Sequence, residues 1–287
     1  MPVPIAFNYS REAAALLEAG RIAIDRWKCP PWPELIEEAR RSLPVYIHFD
    51  LYAGGGRMQS VDWDAVARLL DETGTPFVNL HLTPTRADFG FASAELSDAQ
   101  QARVVETMIA DVALVARRFG PQRIIVENIP YRGVPERNGW EFVRPAVDTA
   151  IFTQVLRETG TGLLLDIAHA AITAHTLGLQ PAACIAAHPL GQLRELHIGG
   201  VRPHDGQLED HLAMTDADWA LFGGVLKAVA SGNAAAPWIV ACEYGGLGPN
   251  FAWRSESAVI AADAQRMRAM LTSLSATTYP VSARSRS

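Results

Sequence analysis

The sequence is poor in cysteine, in long apolar runs and in clustered basic charge, and each scarcity removes a class of protein. Its three cysteines, Cys29, Cys184 and Cys242, stand far apart. An odd number without CxxC spacing fits neither a disulfide framework nor a thiolate zinc site, so reduced thiols in the core are expected, Cys242 drawing notice as the neighbour of Glu243. No apolar run approaches the roughly 20 residues that a membrane-spanning helix needs. The start, Met1-Pro-Val-Pro, lacks a basic signal region, and a cytoplasmic protein without membrane association is expected. With 25 basic and 31 acidic residues the net charge is -6. No run of Lys or Arg builds a positive stripe, so nucleic acid is not an expected partner. A GxxxxGK[ST] phosphate loop, a GxSxG elbow and a strand-linked GxGxxG are also missing, which sets aside the nucleotide and nucleophile chemistries they serve.

What is present is a 287-residue chain that is 49% hydrophobic, enough for one large α/β domain. Short β-rich runs alternate with longer segments of helical period. The runs are 4–8, 21–25, 45–49, 77–81, 123–127, 162–166, 193–197 and 238–243, and eight βα units in under 300 residues predict a closed (β/α)8 TIM barrel. One domain is expected over 1–275, with a polar, unordered tail at 276–287. Ser97 with Gln100 and Thr215 with Asp218 read as capping boxes for helices reaching Phe119 and Ala230. Segments entering strands are short. Those leaving strands, 50–60, 82–96, 128–147 and 198–214, are long, as a site on the C-terminal face of a barrel requires. Gly54-Gly-Gly56 reads as a flexible turn.

Six successive strands end in residues that can bind metal: His48, His81, Glu127, Asp166, His197 and Glu243. Asp, Glu and His make up only 31 plus 8 residues of 287, so the coincidence is not compositional. In a barrel these ends converge, and buried carboxylates and imidazoles sharing one volume need a cation to offset their repulsion and desolvation. His169, one helical turn beyond Asp166, and Asp210 with His211 extend the set beyond the needs of one ion, and a carboxylate can bridge two. Glu127, Asp166 and Glu243 are assigned catalytic roles. Substrate contacts are sought in the long loops at Arg132, Tyr131, His204 and Tyr244. Trp140 and Trp253 are candidates to close a pocket, and Asp25 and Asp50 to support a ligand histidine. His175 and His188 read as helix-surface or loop residues.

The stretch Gly162-Leu-Leu-Leu-Asp-Ile-Ala-His169, its continuation to Arg194-Glu-Leu-His-Ile-Gly-Gly200, and Val126-Glu-Asn128 resemble the multinuclear non-heme iron-dependent oxidative enzymes of the methanobactin-biosynthesis type, within the xylose isomerase-like TIM-barrel superfamily. The resemblance spans roughly Val45 to Glu243. It implies two or three metal ions, iron first with zinc or manganese as alternatives, and oxidative modification of a cysteine-containing peptide or small thiol with dioxygen, often with a partner protein that delivers the peptide. It implies His48, His81, Glu127, Asp166, His169, His197, His211 and Glu243 as ligands, with Asp210 beside them. Many relatives carry Asn at the place of His169, and an Asp two residues before the later His, where this chain has Glu209 followed by Asp210. The alternatives are a divalent-metal sugar isomerase or epimerase and an endonuclease IV-like phosphoesterase.

Overall fold

The computed structural model describes residues 3–93, 95–248 and 252–278. In chain order the elements are β1 (Ile5–Asn8), α1 (Arg11–Glu18), β2 (Arg26–Cys29), α2 (Pro33–Ala39), β3 (Val45–Ile47), β4 (Tyr52–Ala53), α3 (Trp63–Thr73), β5 (Val78–Leu82), α4 (Arg86–Phe89) and α5 (Asp98–Phe119). There follow β6 (Ile124–Glu127), α6 (Thr149–Thr159), β7 (Gly162–Asp166), α7 (Ile167–Thr176), α8 (Pro181–Ala186), β8 (Leu193–Ile198), β9 (Gly200–His204), β10 (Gln207–Leu212), α9 (Asp216–Ala230), β11 (Ile239–Cys242) and α10 (Ser257–Thr278). The parallel sheet runs β3-β2-β1-β11-β8-β7-β6-β5-β4. Its two ends, β3 and β4, are halves of one stave, broken at residues 48–51.

Side-chain and backbone hydrogen bonds join that broken stave to β5 and the segment before it. Phe49 N–H donates to Asn79 Oδ1 at 2.7 Å while Asn79 Nδ2 donates to the Phe49 carbonyl at 3.1 Å. Ile47 N–H reaches Thr75 Oγ1 at 2.9 Å, and His81 N–H reaches the Leu51 carbonyl at 2.8 Å. Counted this way the sheet has eight staves and is the expected (β/α)8 barrel. Both capping boxes form, on α5 and on α9.

Strand alternation sorts the side chains into two layers. Val126, Leu163, Leu165, Leu196, Ile198, Val240 and Cys242 face outward and pack under the helices, each with no exposed surface. Ala6, Tyr46, Ile239 and Ala241 form a separate small cluster inside the barrel. Above it the same inward register carries His48, His81, Glu127, Asp166, His197 and Glu243. Cys242 therefore turns away from the site that its neighbour Glu243 enters, and burial pushes its thiol well above the usual range.

Three expectations change. The second strand is Arg26–Cys29, not 21–25, because the inward-facing Lys28 is neutralised by a tertiary partner that local pattern does not reveal. Asp25 consequently sits at the far end of the barrel, accepting from Ile5 N–H at 2.7 Å and pairing with Arg268 at 2.9 Å. The helix α10 continues to Thr278, into the expected tail; positions 279–287 lie outside the described residues. Gly54 and Gly56 form a fixed turn, their N–H groups both donating to the buried Asp111 carboxylate at 2.7 and 2.9 Å.

Candidate metal centre

The strand register sets the neighbours. His81 lies beside Glu127, and Asp166 beside His197. Ten donors form five overlapping triads, three of which share no member: His48, His81 and Glu127; His169, Asp210 and His211; Asp166, His197 and Glu243. Glu127, Asp166 and His169, and His48, Glu195 and His197, form the other two, the donor atoms in each lying within 4.8 Å of one another. Within the first, His48 Nε2 and His81 Nε2 are 3.2 Å apart, and Glu127 Oε2 is 3.5 and 3.0 Å from them. Ligand atoms about 2.0–2.1 Å from one ion would stand about 3–3.4 Å apart, so the spacing is that of a shared cation.

Glu127 links the triads. Its Oε2 faces His48 and His81, while its Oε1 faces His169 Nδ1 at 3.6 Å and His197 Nδ1 at 3.7 Å. The side chain is buried, as are Asp166, His197 and Glu243. Glu127 Oε2, Asp166 Oδ2 and His197 Nδ1 have no hydrogen bond of acceptable geometry among the described residues. Buried orphaned donors and acceptors of this kind are costly unless something binds them, and this donor set of imidazoles and carboxylates fits a divalent metal ion.

The scaffold orients each ligand. Asp166 ends β7 and caps α7, its Oδ1 accepting the His169 N–H at 2.7 Å, which leaves Oδ2 directed inward. Asn128 accepts from Asp166 N–H at 2.8 Å and donates to its carbonyl at 2.9 Å. His169 Nδ1 donates to the Asn128 carbonyl at 2.8 Å, so that Nε2 faces Asp210 Oδ2 at 3.2 Å. His197 Nε2 meets the buried Glu195 carboxylate at 2.8 Å and presents Nδ1 to the site, a carboxylate–imidazole arrangement common behind metal ligands.

Asp210 and His211 are adjacent, and a regular strand would point them to opposite faces. The β9–β10 hairpin carries a register shift between Glu209 and Leu212, and His211 adopts φ 56°, a left-handed conformation costly for a non-glycine residue. The irregularity turns both toward the site. Glu209 points away, bound by Arg137 at 2.8 Å and Arg132 at 3.4 Å.

The electrostatics follow from this crowding. Burial raises the Glu127 carboxyl, but His81 and His48 outweigh it and hold the group well below the usual range. Burial opposes the His169 charge, yet Asp166 and Asp210 push its imidazole up to about 10. Burial also opposes the His197 charge, and Glu243 lifts it well above the ordinary value. Burial, joined by the Glu243 and Glu127 carboxylates and opposed by His169, pushes Asp166 well above the carboxylate range. Protons on imidazoles thus offset the carboxylates that a cation would otherwise satisfy.

His48, His81, Glu127, His169, His211 and Glu243 floor a cavity of about 380 Å³, also lined by Lys28, Asp50, Tyr52, Glu136, Trp140 and Phe142. Trp140 meets Tyr52 edge to face at 4.9 Å and lies under the Arg57 guanidinium. None of the four expected substrate contacts lines this cavity. Arg132 is already engaged, donating to the Leu208 carbonyl of the hairpin at 2.8 Å and pairing with Glu136 of its own loop at 2.6 Å. Tyr131 N–H donates to Thr173 Oγ1 at 3.0 Å. His204 stacks on Trp253 at 4.9 Å. Tyr244 is buried, its hydroxyl accepting from Glu256 N–H at 3.3 Å. His188 is also buried rather than on a surface, bonded to the Cys184 carbonyl at 3.0 Å; His175 is exposed.

Sequence reasoning missed Lys28, Glu195, Asn79 and Asn128. Lys28 Nζ makes a very short contact with Glu243 Oε1, both side chains buried. Burial opposes the Lys28 charge, but Glu243 and Glu127 raise its pKa. Glu195 alternates with His197 on the inward face of β8, and that period-two spacing was the available signal.

A family model described as RiPP precursor modification enzyme MbnB/TglH/ChrH matches residues 25–235. A UPF0276 protein of Chromobacterium violaceum is 26% identical over 170 residues, a match covering 58% of this chain and 58% of that relative's length. Among solved structures, IOLI protein with a binding zinc atom aligns over 96% of this chain and 99% of that one, with TM-score 0.56 and 12% identity. A xylose isomerase domain protein from Alicyclobacillus acidocaldarius subsp. acidocaldarius aligns over 95% and 99%, with TM-score 0.55 and 16% identity. These structural likenesses show the fold, a xylose isomerase-like barrel.

Proposed function

The chain belongs to the MbnB/TglH/ChrH family of RiPP precursor modification enzymes, and we propose that it oxidatively modifies a cysteine-containing peptide or small thiol with dioxygen at a cluster of two or three irons. The observation that carries this reading is Glu127, whose two oxygens face separate donor groups at 3.0–3.7 Å. Iron at such a centre supplies the redox change that couples thiol oxidation to dioxygen.

The chain's own groups do the rest. His48, His81, His169, His197, Asp210 and His211 bind as ligands, with Glu127, Asp166 and Glu243 adding catalytic roles. Asp166, its Oδ1 held by the His169 N–H, directs Oδ2 at the cluster, while Glu127 and Glu243 are the carboxylates that line the cavity. Glu243 is fixed by Lys28. Tyr52, Trp140 and Phe142 exclude water from the cavity and receive apolar neighbours of the reacting thiol. A separate protein that presents the peptide belongs to this proposal.

A second reading, a divalent-metal sugar isomerase or epimerase, draws on Glu127 and Glu243 facing one cavity. The phosphoesterase alternative is weaker, because no arginine among the described residues lines that cavity.

Oxygen uptake by iron-loaded protein supplied with cysteine-containing peptides, alone and with candidate delivery proteins, tests the reading. Uptake with a mass change in the peptide supports it. Isomerisation of ketoses by the manganese- or cobalt-loaded protein, with no oxygen uptake on any thiol, would overturn it.

A further inference from the structure

Two hydroxyls on one wall of the cavity have no protein partner. Tyr52 stands on β4 directly beside His81 on β5, its ring 5.5 Å from the imidazole. Among the described residues its hydroxyl makes no hydrogen bond. Thr83 follows β5 immediately, its N–H bonded to the Ala53 carbonyl at 2.8 Å. The residue is only 3% exposed, and its Oγ1 is buried without a partner. Both residues line the cavity.

Other polar groups along the same cavity are already engaged. Asn8 Nδ2 donates to the carbonyls of Glu243 and Gly245 at 3.1 and 3.3 Å, and the Tyr9 hydroxyl donates to Glu38 at 3.0 Å. Lys28 is held by Glu243, and Glu136 by Arg132. A buried hydroxyl left without a hydrogen bond is costly unless a ligand supplies one, so the unspent pair marks where a polar part of the substrate belongs.

We propose that Tyr52 and Thr83 bind the peptide groups of the reacting cysteine itself, Tyr52 donating to a carbonyl oxygen and Thr83 accepting from an amide N–H. The inference rests on the function proposed above and narrows it from thiols in general to cysteine held in peptide linkage. Only two bonds separate a cysteine sulfur from its Cα. A thiol lowered onto the ligand floor therefore brings its own amide groups level with the side chains that stand next to His81. A hydroxyl both donates and accepts, as an amide requires. The pair is also uncharged, which matches a neutral amide and not a terminal carboxylate, for no arginine among the described residues lines the cavity and its lysine is taken by Glu243. The Tyr52 ring is fixed edge to face against Trp140 at 4.9 Å, so the hydroxyl is held in place before substrate arrives.

The test is thiol binding to full-length protein loaded with Zn2+, where affinity is read without oxidation. Isothermal titration calorimetry compares N-acetylcysteine N-methylamide, which carries both peptide groups, with 1-propanethiol, which carries neither. Tyr52→Phe and Thr83→Val remove the hydroxyls and keep the shapes. Each is expected to raise the Kd for the cysteine diamide by about 3- to 10-fold, the loss of one hydrogen bond, with the Kd for propanethiol, the Zn2+ content and the circular dichroism unchanged. Wild-type affinity for the diamide in either folded variant would overturn the inference, as would equal weakening of both thiols, which would mark the hydroxyls as structural. Failure of the wild type to bind either thiol would instead overturn the thiol-modifying reading on which it rests.

Discussion

The side-chain amide of Asn128 grips both backbone groups of Asp166, accepting from its N–H at 2.8 Å and donating to its carbonyl at 2.9 Å. The Asn128 carbonyl also holds His169 Nδ1. One residue at the end of β6 thus sets the direction of a carboxylate ending β7 and of an imidazole on α7. Replacing Asn128 by Ala is expected to leave buried backbone groups unpaired, at about 1–3 kcal/mol of stability. It should also weaken metal binding by about 10–100-fold, the usual consequence of losing a group that orients a ligand. Chemical denaturation and Zn2+ titration measure the two effects separately. Unchanged metal affinity in a folded Asn128→Ala protein would show that Asn128 is structural only.

The hairpin that brings Asp210 and His211 to the site depends on Gly200. A Cβ there would stand 2.1 Å from the Ala213 carbonyl oxygen, a backbone atom that cannot swing aside. Gly200→Ala is expected to displace β9 from β10 and to lose metal from the His169, Asp210 and His211 triad, while the barrel staves persist. Bound metal per chain should fall by about one ion with near-native far-ultraviolet circular dichroism. Full occupancy would mean that the hairpin is not needed to hold its ligands.

Much of this arrangement was legible in the sequence, and the reason is the strand itself. A period of two turns each strand-end residue inward, and parallel staves bring all such ends to one face. His48, His81, Glu127, Asp166, His197 and Glu243 needed no more than that. Lys28 was hidden because a charged residue in Arg26-Trp-Lys-Cys29 argues against a buried strand, and its burial is made tolerable by distant carboxylates, first Glu243, 215 positions away, and then Glu127. The more regular Arg21-Ile-Ala-Ile-Asp25 was read as the strand in its place. The loop residues failed for a related reason. Sequence showed that Arg132 and His204 lie in long loops after strands, but not that Glu136 and Trp253 would engage them first. The adjacency of Asp210 and His211 became interpretable only with the bulge and the left-handed His211.

Asp263, away from the centre on α10, gives a pH signature. Burial raises its carboxyl to about 6, against the lowering effect of the Met214 N–H, Arg266 and Arg202. The native state therefore binds this proton more tightly than the unfolded chain, whose aspartate value is about 3.9. The stabilising contribution is complete below about pH 4 and is lost as pH rises through 6, amounting to about 2–3 kcal/mol. Asp263→Asn removes the titration. The melting temperature of wild type relative to Asp263→Asn should therefore fall between pH 4 and 7, and parallel curves over that range would refute the assignment.

The central claim is that this barrel holds adjacent metal ions joined through Glu127. Elemental analysis and Mössbauer spectroscopy of protein purified without oxygen or chelator, wild type beside Glu127→Ala, test it most directly. The account predicts at least two irons per wild-type chain with the signature of magnetic coupling, and loss of most of that iron and of the coupling in the variant. Zinc or manganese alone in the wild type would contradict the oxidative reading, and full, coupled iron in Glu127→Ala would contradict the bridge.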